Sequence, residues 1–408
     1  MRVLIVGLGG VSRTFRNWPE RTLGQALVRA GHEVHAVTYW QPQSPQLGLE
    51  RREELIDGIH VHRVRPRFYP TREIDAALDA LPRPDVAHLM HPRNVLAWGA
   101  VRWLRRHKVP IVWTWLGPYH DRWLVADRER PYEHRPHPEW LIYTPRDVLR
   151  RTLRDGRLRD HMRNYFIHAP LRHVDAFVPC SEHEAAVLAQ LGFGDRPATV
   201  VPLWLDMDFM RGPAPTLDLA PTRPIIPYIG QLTMRKCYDM VIEAMPAVVE
   251  RFPGASFVFV THNPEQRANL QRMAAERRVE PNLHFLGTIG EEEKLALLRM
   301  SDVLPFPSRY EGFGLPILEG MAAGTPVIST DIPVVREIVR DGENGLLIPY
   351  DDAPALARAI IAVLEDTGLR ARLVAGGRRT LAERFDPSTL AARVIETYRH
   401  VIEGCIAP

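Results

Sequence analysis

Residues 308 to 330 set two carboxylates, Glu311 and Glu319, on either side of a glycine-rich stretch. Gly312 and Gly314 let a backbone approach a ligand closely, and Pro316 suits the first turn of a helix, where a missing N–H costs nothing. The spacing therefore predicts a helix from near Leu315. Its unbonded N–H groups and the positive end of its dipole suit an anion such as phosphate. Glu311 stands just outside this helix and Glu319 about one turn inside. Helical side chains lean toward the N-terminus, so Glu319 can reach back toward the same ligand. Carboxylates accept hydrogen bonds from hydroxyls while amides donate to phosphates, so the pattern implies a ligand carrying both, such as a nucleotide sugar. A pair of acids alone says little in a chain with 49 Asp and Glu; an ordinary loop and helix of an α/β domain is the other reading.

Alternating strand-like and helical runs must position these residues. Val3, Leu4, Ile5 and Val6 form an apolar run ending at Gly7, with Gly9 and Gly10 following, which reads as a buried strand and a glycine-rich turn. Ser12 stands where a third glycine would complete a dinucleotide fingerprint, so no nicotinamide cofactor is expected. Residues 84–91 and 109–114 predict further parallel strands, with His88, His91 and the stretch from Trp115 to His120 at their carboxyl ends, where such sheets bind ligands. Either histidine could equally be a packed residue. Pro213, Pro215, Pro221 and Pro224 mark a link, after which strands are predicted at 225–229, 256–260, 283–286 and 303–307.

The 408 residues suit two domains of roughly 200 residues each. A hydrophobic content of 45% and a charged content of 25% are those of a soluble globular chain. No run approaches the roughly 18–20 apolar residues of a membrane span, and the start does not read as a signal peptide, so the cytosol is the expected compartment. Cys180, Cys237 and Cys405 have neither disulfide nor metal spacing, and no metal is expected. The net charge of +3 is unevenly spread. Arg102, Arg105, Arg106 and Lys108 cluster beside Trp103, and a second cluster runs from Arg146 through Arg150, Arg151, Arg154, Arg157, Arg159 and Arg163. Such clusters could hold an anionic membrane surface, at the inner face of a membrane, or an acidic acceptor. A solvated helix face paired with Asp147, Asp155 and Asp160 explains them as well. No aromatic ladder or groove-reading motif accompanies the charge, which disfavours nucleic acid.

The string from Ser308 to Thr330, continued by Ile332-Pro333, Arg336-Glu337-Ile338-Val339 and 341–347, resembles the donor-site signature of retaining GT-B glycosyltransferases of family 4. The two glutamates of that signature are separated by seven residues, as Glu311 and Glu319 are. The resemblance is firm from about 225 to 350 and looser before. It implies an α/β fold of two Rossmann-like domains facing a deep cleft: residues 1–210 for the acceptor, joined by a returning helix at 386–408, and 211–385 for the donor. It further implies that Gly9 and Gly10 face the donor phosphates, although a purely structural turn is the alternative. Lys236 matches the family lysine that neutralises the donor diphosphate. Gln231 occupies the family arginine position, and Arg235 is placed to compensate. Ile289 lies in the loop expected to contact the nucleobase through its backbone. Glu311, with Gly312, would hold sugar hydroxyls, the amides of Phe313, Gly314 and Leu315 the phosphates, and Glu319 the ribose. Leu116 stands where many members have a histidine, and His120 is the candidate substitute.

The activity so implied is transfer of a hexosyl group, with retained anomeric configuration and without a metal or cofactor, from a UDP- or GDP-linked sugar. The acceptor would be a glycan, a lipid-linked molecule or a small molecule. A silent nucleotide-sugar-binding protein and a sugar-nucleotide epimerase of the same fold are the alternatives.

Overall fold

Arg2–Val6 forms strand β1, and every residue after Arg2 in it is apolar and buried. Parallel strands covered on both faces require such unbroken apolar runs. A computed structural model of the chain describes residues 1–44, 47–65, 72–91, 95–116, 144–217, 222–260 and 264–406. Around β1 lie β2 (Glu33–Tyr39), β3 (Glu53–Ile56), β4 (Ile59–Val64), β5 (Val86–Met90), β6 (Ile111–Thr114) and β7 (Ala176–Phe177). Their order is β3-β4-β2-β1-β5-β6-β7. Neighbours are parallel except β3 and β4, an antiparallel hairpin turned by Asp57 and Gly58, both at positive φ, as a type I′ turn requires.

This sheet belongs to the first of two compact units; the second is Leu205–Asp386. The final helix, Pro387–Ile406, is part of the first unit, where Leu390, Val394, Ile395 and Tyr398 share an apolar cluster with Val3, Ile5 and Val34. His88 enters that cluster from β5. Its Nδ1 lies 2.6 Å from the Tyr398 hydroxyl and its Nε2 2.7 Å from Thr114 Oγ1. Burial lowers its pKa to about 3. The ring is therefore a neutral packing residue, the second of the two readings that the sequence left open.

In the second unit β8 (Ile225–Ile229), β9 (Ser256–Val260) and β10 (Leu283–Leu286) form one parallel sheet. Strands β11 (Leu304–Phe306), β12 (Val327–Thr330) and β13 (Leu346–Ile348) form another. Asp302 ties the two at their starts. Its carboxylate accepts from the Ile225 N–H at 2.8 Å while its own N–H donates to the Ile225 carbonyl at 2.9 Å. Strands β8 and β11 thus end side by side, and their carboxyl-end loops meet.

His88 titrates near 6.5 when unfolded and near 3 when folded. Its contribution to stability is complete above about pH 6.5 and is lost as the pH falls toward 3, at up to about 1.4 kcal/mol per pH unit. Tyr398→Phe should cost about 1–3 kcal/mol, because a buried ring nitrogen loses its partner. Urea unfolding at pH 7 reads that loss. The same measurement down to pH 5 should find the profile flatter in His88→Gln.

Candidate functional site

The loop after β8 is pinned from beneath. The buried Tyr228 hydroxyl lies 3.0 Å from the Gln231 carbonyl and 3.3 Å from the Lys236 carbonyl. The short turn Met234–Lys236 then presents its two cations toward the loop after β11. There the Arg309 N–H donates to the Arg235 carbonyl at 2.8 Å, so the two loops are joined by their backbones.

Glu311 sits where they join and is only 7% exposed. Lys236 Nζ donates to its Oε1 at 2.5 Å, and Arg235 lies 3.7 Å from its Oε2 while donating to the Tyr310 carbonyl at 3.0 Å. Burial alone would raise the Glu311 pKa. Lys236 and Arg235 outweigh burial and hold the carboxyl below the ordinary carboxylate range. The Gln231 side chain is exposed, so the two cations on this carboxylate are both supplied from the turn that follows it.

The helix predicted from Leu315 is Leu315–Ala323. Gly314, at φ 120°, is its N-cap and no side chain caps it; a β-carbon there would be strained. Phe313 is buried with its ring 6.2 Å from that of Phe385, which fixes the backbone just before the helix. Glu319, 5% exposed, accepts from Lys294 Nζ at 2.8 Å. Lys294 also reaches Glu291 Oε1 at 3.0 Å. Its charge is disfavoured by burial yet raised in pKa by Glu319 and Glu291, whereas the Glu291 pKa is raised, chiefly by burial. Ile289 turns its side chain into the cluster of Ile225, Val258 and Leu297.

In the first unit Gly9 and Gly10 follow β1, Gly9 at φ 138°. A β-carbon on Gly7 or Gly10 would collide with the carboxylate of Glu20. Glu20 is fully buried, and its oxygens hydrogen-bond none of the described residues; His91 Nε2 lies 3.6 Å from Oε1. Gly7 and Gly10 are thus required by an acid that the sequence did not single out. Leu116 packs against the first unit's apolar cluster; His120 lies outside the described residues.

Glu311, Lys236 and Arg235 are in contact, Gly312 to Leu315 lead from them into the helix, and Glu319 lies on its buried face. Lys294 and Glu291 complete this arrangement and were missed. Their i, i+3 spacing is visible in the sequence, but Glu291-Glu292-Glu293-Lys294 reads as a solvated helix start. Among the described residues no group of His, Cys, Asp and Glu could hold a metal ion.

Comparison with known proteins matches residues 215–380 to the family described as Glycosyl transferases group 1 and residues 9–209 to Glycosyltransferase Family 4. A phosphatidyl-myo-inositol mannosyltransferase of Mycobacterium tuberculosis is 37% identical over 174 residues, covering 41% of this chain and 44% of that protein. LpsE of Rhizobium meliloti, a lipopolysaccharide core biosynthesis glycosyltransferase, is 35% identical over 169 residues, covering 41% and 48%. The chain spans about half the length of the curated relatives it matches. Among solved structures, sucrose-phosphate synthase from Thermosynechococcus elongatus aligns with a TM-score of 0.72 at 20% identity over 99% of this chain and 100% of that one. Anabaena HepE in complex with UDP and glucose aligns at 0.69 and 15% identity over 98% and 100%.

Lys294→Met strands two carboxylates that now share one cation. It should destabilise the second unit by about 3 kcal/mol, the low end for a broken buried pair, since the lysine side chain keeps 17% exposure. Adding Glu291→Gln should recover part of that loss, as read by urea unfolding of the full chain.

Proposed function

We propose, from the premise that the chain belongs to the family 4 glycosyltransferases of GT-B fold, that it moves a hexosyl group from a nucleoside diphosphate sugar to an acceptor with retention of configuration and without a metal. The observation that carries this reading is the contact of Glu311 with Lys236 and Arg235 beside a helix start that no side chain caps. A diphosphate offers those cations a stronger partner than a single carboxylate. Once they turn to it, Glu311 becomes an acceptor for sugar hydroxyls. Glu319, oriented by Lys294, is the acceptor for the ribose hydroxyls.

In the reaction the C1–O bond to the diphosphate breaks and its electron pair leaves with the phosphate oxygen. Lys236, Arg235 and the amides of Phe313, Gly314 and Leu315 stabilise that growing charge. The acceptor oxygen bonds to C1 from the same face, and its proton passes to the departing phosphate. We assign acceptor binding to the N-terminal portion, 1–210 with the returning helix, and donor binding to 211–385. Gly9 and Gly10 are assigned to the donor phosphates, Ile289 to the base and His120 to the acceptor side. The mannosyltransferase named for phosphatidyl-myo-inositol favours a lipid-linked acceptor and hence a peripheral place at the inner membrane face.

Glu319→Ala is a clean probe, because Lys294 keeps Glu291 and no charge is left unpaired. It should weaken nucleoside diphosphate binding about tenfold to a hundredfold, as expected for losing hydrogen bonds to a charged group. It should also abolish any preference for a nucleotide over its 3′-deoxy analogue. Calorimetry against UDP, GDP and ADP measures both; affinity unchanged for all three removes the site assignment. Diphosphate release from a panel of nucleotide sugars, absent in Glu311→Ala, tests turnover, and the anomeric proton of the product tests retention.

A further inference from the structure

Five large hydrophobic side chains stand exposed among the described residues, and three of them fall within ten residues: Leu149 at 61%, Leu153 at 80% and Leu158 at 53%. They belong to two successive helices of the first unit, Pro145–Asp155 and Leu158–His168, joined by Gly156 at φ 74°. The first helix is held by a capping box between Thr144 and Asp147, and Val148 is its one buried hydrophobic. Helical periodicity places Leu149 and Leu153 one turn apart, with Arg146, Arg150 and Arg154 forming a neighbouring stripe along one side of them. Those three arginines are exposed.

Charge along this stretch is one-sided, since residues 146–160 hold six arginines and three aspartates. Two of the aspartates are turned to local work. Asp147 serves the capping box and lies 3.6 Å from Arg150, which stays exposed, and Asp155 accepts from the Arg157 N–H at 3.0 Å and lies 2.9 Å from His161 Nε2. A solvated helix face would not carry three exposed leucines, and a face meant for the protein interior would not carry the arginines. The second helix packs against Val95–Arg106 and the turn Ala169–His173. A groove of about 480 Å³ beside them is lined by Trp98, Val101, Arg102, Arg105, Arg106 and His173. Burial lowers the His173 pKa, and Arg105, Arg172 and Arg196 lower it further against the opposing charge of Asp175.

We propose that the face carrying Leu149, Leu153 and Leu158 docks on a bilayer of anionic phospholipid, the leucines entering the acyl boundary and the arginines meeting the headgroups. Apolar residues flanked by arginines match a surface that is anionic at its rim and apolar beneath. The inference rests on the proposed peripheral location and specifies the surface that achieves it. It does not depend on which sugar is transferred.

Co-sedimentation of the full chain with vesicles decides it. Wild-type protein should bind vesicles of phosphatidylcholine mixed with phosphatidylglycerol at about 0.05 M salt at least tenfold better than vesicles of phosphatidylcholine alone, and lose most of that binding at about 0.5 M. Leu149→Gln, Leu153→Gln and Leu158→Gln combined should reduce binding at least tenfold. Arg150→Gln with Arg154→Gln should reduce both the binding and its salt dependence. Because all five side chains are exposed, the melting temperature and nucleotide affinity should remain those of the wild type. Equal binding to both vesicle types, or wild-type binding by the leucine variant, overturns the proposal. So does a wild-type dimer that the leucine variant dissolves while neither binds vesicles, since a second copy then covers the face. Vesicle binding without sugar transfer would overturn the functional reading alone, and transfer to a soluble acceptor without vesicle binding would overturn this one alone.

Discussion

The candidate site depends on one constraint: Glu311 is nearly buried, and against that burial Lys236 and Arg235 hold its carboxyl below the ordinary carboxylate range. A carboxylate out of water without counter-charge would take up a proton or expose itself. The pairing therefore fixes three things together: the turn after β8, the loop after β11, and the charge state of the acid. It also holds the cations in place near an uncapped helix start. Backbone bonds reinforce the arrangement, from Tyr228 below and from Arg309 beside.

What the sequence made legible follows from how local each signal is. Gly312, Gly314, Pro316 and the two glutamates act within one loop and the first turns of one helix, so their order carries their geometry. Lys236 could be matched because it follows β8 and Gly230 at short range. Strands β1, β5, β6 and β8 to β11 were readable because parallel strands with covered faces are unbroken apolar runs, whereas β3, β4, β12 and β13 were not expected. By contrast, the partnership of Lys294 with Glu319 spans 25 residues and joins two helices, and that of His88 with Tyr398 spans 310. No local pattern encodes such pairs.

Two further features needed coordinates for other reasons. In the sequence Gly10 reads, together with Gly9, as facing the donor phosphates, and the structure adds that Gly7 and Gly10 also make room for the buried Glu20. A glycine declares that something approaches closely without declaring what. The leucines at 149, 153 and 158 sit in an arginine-rich segment whose sequence suited a solvated face or a charged surface equally. Apolar spacing on a helix marks a stripe but does not say whether that stripe is covered. Exposure of 53–80% supplies the missing sign.

The two charged groups of the candidate site also differ in net sign, and that difference carries direction. Lys236 and Arg235 against Glu311 leave one positive charge, whereas Lys294 against Glu291 and Glu319 leaves one negative charge. The first group adjoins the loop that opens Leu315–Ala323, and the second reaches that helix through Glu319 on its buried face. An anion is attracted to the first and repelled by the second, whose carboxylates offer acceptors to groups that donate, such as hydroxyls. On the proposed reading, a ligand with a diphosphate and a hydroxyl-bearing ring beside it has one favoured orientation along the helix start. The reverse placement would set phosphate against a net negative cluster and leave the two cations facing alcohols, a mismatch at both ends that shape alone would not impose.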